Sequence, residues 1–150
     1  MTTVLSLGSN LGDRRGHLRA ALAVLRPAAV SSVWQTAPVG GPPQDDFLNL
    51  VALVEDDATQ AWVLAQRAEH EAGRVRAVRW GPRSLDVDVV AGCPPVPPGL
   101  VVPHPRAHQR AFVLAPWLEV EPAAVLPGHG AVAALLQALG TAGVHRVGGL

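Results

Sequence analysis

Lysine is absent from this chain of 150 residues, and cysteine occurs once. A single cysteine excludes an internal disulfide framework and a thiolate metal cluster. No uninterrupted apolar run approaches the ~20 residues that cross a bilayer, and no basic segment followed by a long apolar one opens the chain. Secretion and a membrane span are therefore not expected, and the cytoplasm is the expected location. All twelve basic residues are arginine, and twelve acids balance them to a formal net charge of zero. Without a positive footprint, bulk nucleic-acid binding is not expected either. Neither GxGxxG nor GxxxxGK[ST] occurs, so the two familiar phosphate-cradling turns are missing, and no internal repeat is evident.

What is present suits one soluble domain spanning 1–150, with 49% apolar residues and enough length to bury a real core. A monomer is the expectation. Residues 2–7 read as a strand running into the turn Gly8-Ser9-Asn10-Leu11-Gly12-Asp13, where Asn10 or Asp13 can cap the following helix. Leu18, Ala21, Leu22 and Leu25 recur at helical spacing until Pro27. Residues 30–35 read as a second strand. Residues 36–46 contain Pro38, Gly40, Gly41, Pro42 and Pro43, and so form an exposed loop. Residues 47–55 read as a third strand with Phe47, Asn49 and Val51 on one face, and 59–72 as a helix with Trp62, Ala65 and Glu69 on one side. Glu69 lies near the C-terminal end of that helix, where an acid is unfavourable, so a tertiary partner such as an arginine is expected slightly ahead of a free surface charge. A final helix is expected over 131–139, with loosely held residues beyond Gly140. The pattern predicts an α+β, ferredoxin-like, antiparallel-rich sheet, with helices packed on one face and substrate loops over the other.

The chemistry concentrates between residues 74 and 110. Arg74, Arg76, Arg79 and Arg83 fall within ten residues, and Arg106 and Arg110 follow at i, i+4 spacing, able to face one anion from a short helix. Residues 84–90 read as a fourth strand, whose alternation puts Asp86 and Asp88 on one face and Leu85, Val87 and Val89 on the other. Two residues of strand separate the aspartate Cα atoms by roughly 7 Å, which lets the carboxylates converge on metal ions. The plain alternative is a half-buried strand with a wet face. Aspartate is disfavoured in strands, and arginines beside a carboxylate pair suit a magnesium-bound polyphosphate. Asn49 can both donate and accept, and so can read a flat heterocycle; a locally satisfied strand asparagine is the alternative. Cys93 lies in a Pro-rich stretch with no His/Asp arrangement to activate it, and reads as an incidental thiol.

The string Arg79-Trp80-Gly81-Pro82-Arg83-Ser84-Leu85-Asp86-Val87-Asp88-Val89 resembles the signature of the 2-amino-4-hydroxy-6-hydroxymethyldihydropteridine pyrophosphokinase family of folate biosynthesis. Gly8-Ser9-Asn10-Leu11, residues 36–49, Gly73-Arg74-Val75-Arg76 and residues 102–112 extend the resemblance, in order, over nearly the whole chain. It implies transfer of pyrophosphate from ATP to 6-hydroxymethyl-7,8-dihydropterin, with release of AMP. Two magnesium ions are implied on Asp86 and Asp88. Arg74, Arg83 and Arg110 are implied at the triphosphate, with Arg76 and His104 beside them and Glu69 shaping the nucleotide side. For the pterin, the resemblance implies edge reading by Asn49, loop contacts from Thr36 and Val39, a ring sandwich between Phe47 and Phe112, and closure by Trp80. Phe47 stands where many members carry tyrosine, Pro105 where some carry an aromatic, and Ala77 where a basic residue can occur; the loop from Gly73 to Trp80 looks slightly short. The competing reading is a ferredoxin-like module that senses a nucleotide without turning it over.

Overall fold

The computed structural model describes residues 2–38, 40–73 and 82–150. Its central strand, β1 (Thr3–Ser9), is buried along its whole length. It pairs antiparallel with β4 (Phe47–Val54) on one side and with β5 (Asp86–Ala91) on the other. Outside β4 lies β3 (Val33–Thr36), and outside β3 lies β8 (Val144–Gly148), giving the order β5-β1-β4-β3-β8; the two-residue β2 (Ala29–Val30) also pairs with β4. A separate small ribbon joins β6 (Val125–Leu126) to β7 (Gly130–Ala131).

Two helices cover one face. In α1 (Arg14–Leu25) the stripe Leu18, Ala21 and Leu25 is buried, and in α2 (Ala58–Glu71) so are Ala58, Ala61, Ala65 and Ala68. They pack with Leu5, Leu7, Leu50, Val87 and Val89 into one core. Asp13 caps α1 by accepting from Gly16, and Asp57 caps α2 by accepting from Gln60, each cap contributing about 1 kcal/mol. Thus the ferredoxin-like arrangement expected from the sequence is present through β5.

The far face differs from expectation in carrying helices of its own. α3 (Ala111–Val120) and α4 (Val132–Leu139) pack against Val4, Val51 and Val90 from the opposite side. α3 is apolar on nearly every side, with Val113 to Trp117 all buried, and it contains Pro116. A helix buried all round shows no amphipathic period, and an interior proline argues against a helix, so tertiary burial decides this segment. Other differences are local. The strand expected over 30–35 is broken at Ser31 and Ser32, where the Ser31 hydroxyl occupies the Val51 backbone N–H. Residues beyond Gly140 are not loose: φ values of 77° at Gly140 and 76° at Gly143 turn the chain back so that β8 pairs with β3. That strand is mostly exposed and carries no hydrophobic alternation, so its stability comes from backbone pairing.

One position in this frame is strained. Arg26, just past α1, is a non-glycine residue with φ of 50°, and its N–H closes the helix on Leu22. A side chain in this conformation costs roughly 1–2 kcal/mol, part of which glycine would return through greater freedom when unfolded. Arg26→Gly is expected to stabilise the protein by about 1 kcal/mol, raising Tm by roughly 2–4 °C. Calorimetry checks this, and an unchanged or lower Tm rejects it.

Candidate active site

The sheet register lays the polar residues of the far face in a row. Asp86 pairs with Gly8, Gly8 with Asn49, and Asn49 with Trp34, one residue from each of four neighbouring strands. Cross-strand partners share a face, so these side chains point to the same side as Asp88, which lies opposite Ser6, and as Phe47, which lies opposite Thr36. Strands lie ~4.8 Å apart, so roughly 10 Å separates Asp86 from Asn49 across the row. α3 covers the other half of this face, leaving this end for a ligand.

At the acidic end the aspartates are half-buried and flanked by arginines. Arg83 Nε lies 3.9 Å from Asp86 Oδ1, and Arg110 Nη1 lies 3.8 Å from Asp88 Oδ2. These are ionic contacts, too long for direct hydrogen bonds. The Arg110 guanidinium also stands 5.6 Å from the centre of the Phe112 ring. Arg106 and Arg110 do not share a helix; they flank a single 3-10 turn, Ala107–Gln109. His104 docks on the edge of β5, its backbone N–H donating to Val90 O at 2.8 Å, while its Nδ1 accepts from the Arg106 N–H at 3.1 Å. Burial pushes the His104 pKa down, Asp88 draws it up, and Arg110 and Arg106 reinforce the lowering. The ring is therefore neutral at pH 7, with its proton on Nε2.

Glu69 approaches from α2 and accepts from the Val87 N–H at 3.0 Å, so its carboxylate grips the strand between the two aspartates. A backbone amide is thus one tertiary partner of Glu69; Arg74, Arg76 and Arg79 lie outside the described residues. At the other end of the row, Asn49 Nδ2 donates to Thr36 Oγ1 at 2.9 Å and to Trp34 O at 3.4 Å. A carbonyl can only accept, so the nitrogen is fixed on that side and Oδ1 is the face available to a ligand. Gly8 sits between the two ends. A Cβ there would stand 3.0 Å from Asn49 Oδ1 and 3.4 Å from the Phe47 ring, so only glycine leaves the floor of the row open.

Asn10, a cap candidate in the sequence, is given other work, since Asp13 caps α1. Buried to 2% exposure, it accepts from the Arg83 N–H at 2.8 Å and donates to Gln44 Oε1 at 2.8 Å and Asp45 O at 2.9 Å. One amide thus joins the turn after β1, the loop before β4 and the approach to β5. Gly8 and Asn10 are the site-forming residues that residue-by-residue reasoning passed over. Their signal was the Gly-Ser-Asn turn directly after the first strand, but Asn10's partners lie up to 73 residues away. Phe112 stands near the start of α3, half-buried. Val39, Arg74, Arg76 and Trp80, together with Ala77 and Arg79, lie outside the described residues.

The donor set fits magnesium. Asp86 and Asp88 offer hard oxygens on one exposed face, and among the described residues no third acid or histidine completes a closed cage. Magnesium retains water and substrate oxygens and takes one or two carboxylates, as this pair provides.

The sequence model for 7,8-dihydro-6-hydroxymethylpterin-pyrophosphokinase matches residues 4–122. A 2-amino-4-hydroxy-6-hydroxymethyldihydropteridine pyrophosphokinase of Mycobacterium tuberculosis is 46% identical over 141 residues, covering 82% of this chain and 74% of its own. The protein of the same name from Bacillus subtilis is 41% identical, covering 77% and 75%. That from Methylorubrum extorquens is 39% identical over 95% of this chain and 96% of its own.

Proposed function

Because the chain belongs to the 7,8-dihydro-6-hydroxymethylpterin-pyrophosphokinase family, we propose that it transfers pyrophosphate from ATP to the hydroxymethyl group of 6-hydroxymethyl-7,8-dihydropterin. The products are the pterin diphosphate and AMP, in folate biosynthesis. The observation that carries this reading is the row itself, with a carboxylate pair and arginines at one end and an edge-reading amide roughly 10 Å away at the other.

In the reaction the pterin hydroxyl attacks the β-phosphorus, a new O–P bond forms, and the bridging bond to the α-phosphate breaks as AMP leaves. Two magnesium ions, when bound by Asp86 and Asp88, would neutralise the triphosphate and acidify the attacking hydroxyl. Arg83 and Arg110, already beside the aspartates, turn their guanidinium donors to phosphate oxygens, with Arg74 and Arg76 assigned to the same anion. His104 donates from Nε2 to a phosphate oxygen. Glu69 holds β5 so that the two acids keep their spacing. Asn49 Oδ1 accepts from a ring N–H, Thr36 and the Val39 backbone contact the ring edge, and Phe47 and Phe112 stack on its faces, with Trp80 closing over the assembled substrates. Phosphoryl-type transfer depends on positioning and charge rather than on a protein nucleophile, in keeping with a site whose described residues offer none. The enzyme is taken to act in the cytoplasm as a single-domain monomer; no helix among the described residues is long and apolar enough to cross a membrane.

Purified protein given ATP, magnesium and the hydroxymethyl dihydropterin is expected to release AMP and pterin diphosphate in equal amounts. Chromatography of the nucleotides decides it. ADP in place of AMP, or nucleotide binding without product, would give way to phosphoryl transfer or to a sensing module.

A further inference from the structure

Away from the phosphate end, a second polar cluster ties α3 to the sheet. Glu119, in the last turn of α3, accepts at Oε2 from the Ser32 N–H (3.0 Å) and the Ser32 hydroxyl (2.7 Å), and at Oε1 from the Trp34 indole (3.1 Å). Arg146 on β8 donates to Ser32 Oγ at 2.9 Å, and its Nη2 stands 3.9 Å from Glu119. Burial pushes the Glu119 pKa up, but the bonds from Ser32 and Trp34 and the Arg146 charge outweigh it and hold the carboxyl below its usual range. One carboxylate therefore joins α3, the break between β2 and β3, β3 itself and, through Arg146, β8.

Among the described residues, Arg110 at the N-terminal cap of α3 stands 3.8 Å from Asp88, and the packing along the rest of the helix is apolar, from Val113, Leu114 and Trp117. Apolar packing is non-directional and tolerates small slides, whereas hydrogen bonds from one carboxylate to two positions on the sheet fix a helix along and about its axis. Phe112 lies seven residues before Glu119, two turns away on the same face and about 10 Å along the axis. Trp34, held by Glu119, is the cross-strand partner of Asn49, which donates to the Trp34 carbonyl. We propose that Glu119 is a positioning residue for ring binding: its grip on Ser32 and Trp34 sets the distance at which α3 holds Phe112 from the row of Phe47 and Asn49. Glu119 lies two turns from the ring and acts through Phe112. The inference rests on the pterin reading above. A shift of ~0.5–1 Å in a stacked contact forfeits a quarter to a half of its attraction. The charge interaction of Arg110, which caps α3 and also faces Asp88, falls off only slowly with distance. The ring end of the site is therefore the more sensitive to this anchor.

The test compares wild type with Glu119→Gln, Glu119→Ala and, as a milder perturbation, Ser32→Ala. With both Glu119 variants, KM for the pterin is expected to rise about tenfold, with KM for ATP and kcat within about twofold of wild type; Ser32→Ala should shift pterin KM the same way by less. A merely structural role would lower kcat with the folded fraction and move neither KM selectively. A second readout needs no turnover: nuclear Overhauser contacts in the substrate-free protein from the Phe112 ring to the sheet residues of the apolar cluster it packs against. These should weaken in the Glu119 variants and, to a smaller extent, in Ser32→Ala. Unchanged pterin KM, or both KM values rising together, overturns the proposal. If wild type makes no pterin diphosphate, the pyrophosphokinase reading falls on its own. The Overhauser contacts then decide the anchor: weakened contacts sustain it, and unchanged ones reject it.

Discussion

Asp88→Asn is expected to lower kcat on the order of a thousandfold, about 4 kcal/mol of lost transition-state stabilisation, while the protein stays folded. The asymmetry follows from exposure. The Asp88 side chain is 47% exposed and its contact with Arg110 is 3.8 Å, so the pair contributes about 0–1 kcal/mol to stability. For the reaction, asparagine keeps the shape but removes the negative charge that makes the pair a hard-cation site. Measuring kcat beside thermal unfolding separates the two effects. Turnover within tenfold of wild type would remove Asp88 from the metal role, and a collapsed Tm would reassign it to folding.

Asn10→Ala is expected to produce the largest loss outside the acidic pair, in stability and activity together. The substitution strips the Arg83 N–H and the Asp45 carbonyl of their partners at once. Each buried group left unpaired costs about 1–3 kcal/mol, and partial hydration of the loops limits the sum to roughly 2–4 kcal/mol, or about 5–15 °C in Tm. Turnover should fall about 10- to 100-fold even well below the new Tm, because Arg83 leads directly into the strand carrying Asp86 and Asp88. Asn10→Asp keeps the acceptor for Arg83 but turns an anion toward the Asp45 carbonyl, so it should fall between the two. Amide exchange at Arg83 reads the mechanism: faster exchange in Asn10→Ala supports it, and unchanged exchange with full turnover rejects it.

The sequence was informative where periodicity and composition speak locally. Leu18, Ala21 and Leu25 announced α1, and the alternation around Asp86 and Asp88 placed both acids on one face, as the register with Gly8 and Ser6 confirms. Asn49 was expected on the same side as Phe47, and it is. What sequence could not convey depends on partners far along the chain. α3 hid because burial on all sides erases the helical period, and β8 because an exposed edge strand needs only backbone pairing. The same holds for side chains with several partners. Glu69 reads as an acid in want of a partner, and its grip on an amide of β5 is not legible in the sequence. Asn10 reads as a cap, yet it fastens three segments that meet only in the folded sheet.

The row across the sheet also bears on how the protein acquires activity. Its members are residues 8, 34, 49 and 86, extended to Arg146 opposite Trp34. Neighbours in space are thus separated by up to 112 residues of chain, from Trp34 to Arg146. Such non-local pairings form late and slow a protein's folding, because the intervening loops must close before the contacts reward them. No early, locally structured intermediate can hold the two acids opposite Asn49. Recovery of turnover during refolding should therefore lag the recovery of helical signal from α1 and α2, making activity a reporter of the last step in assembling the sheet.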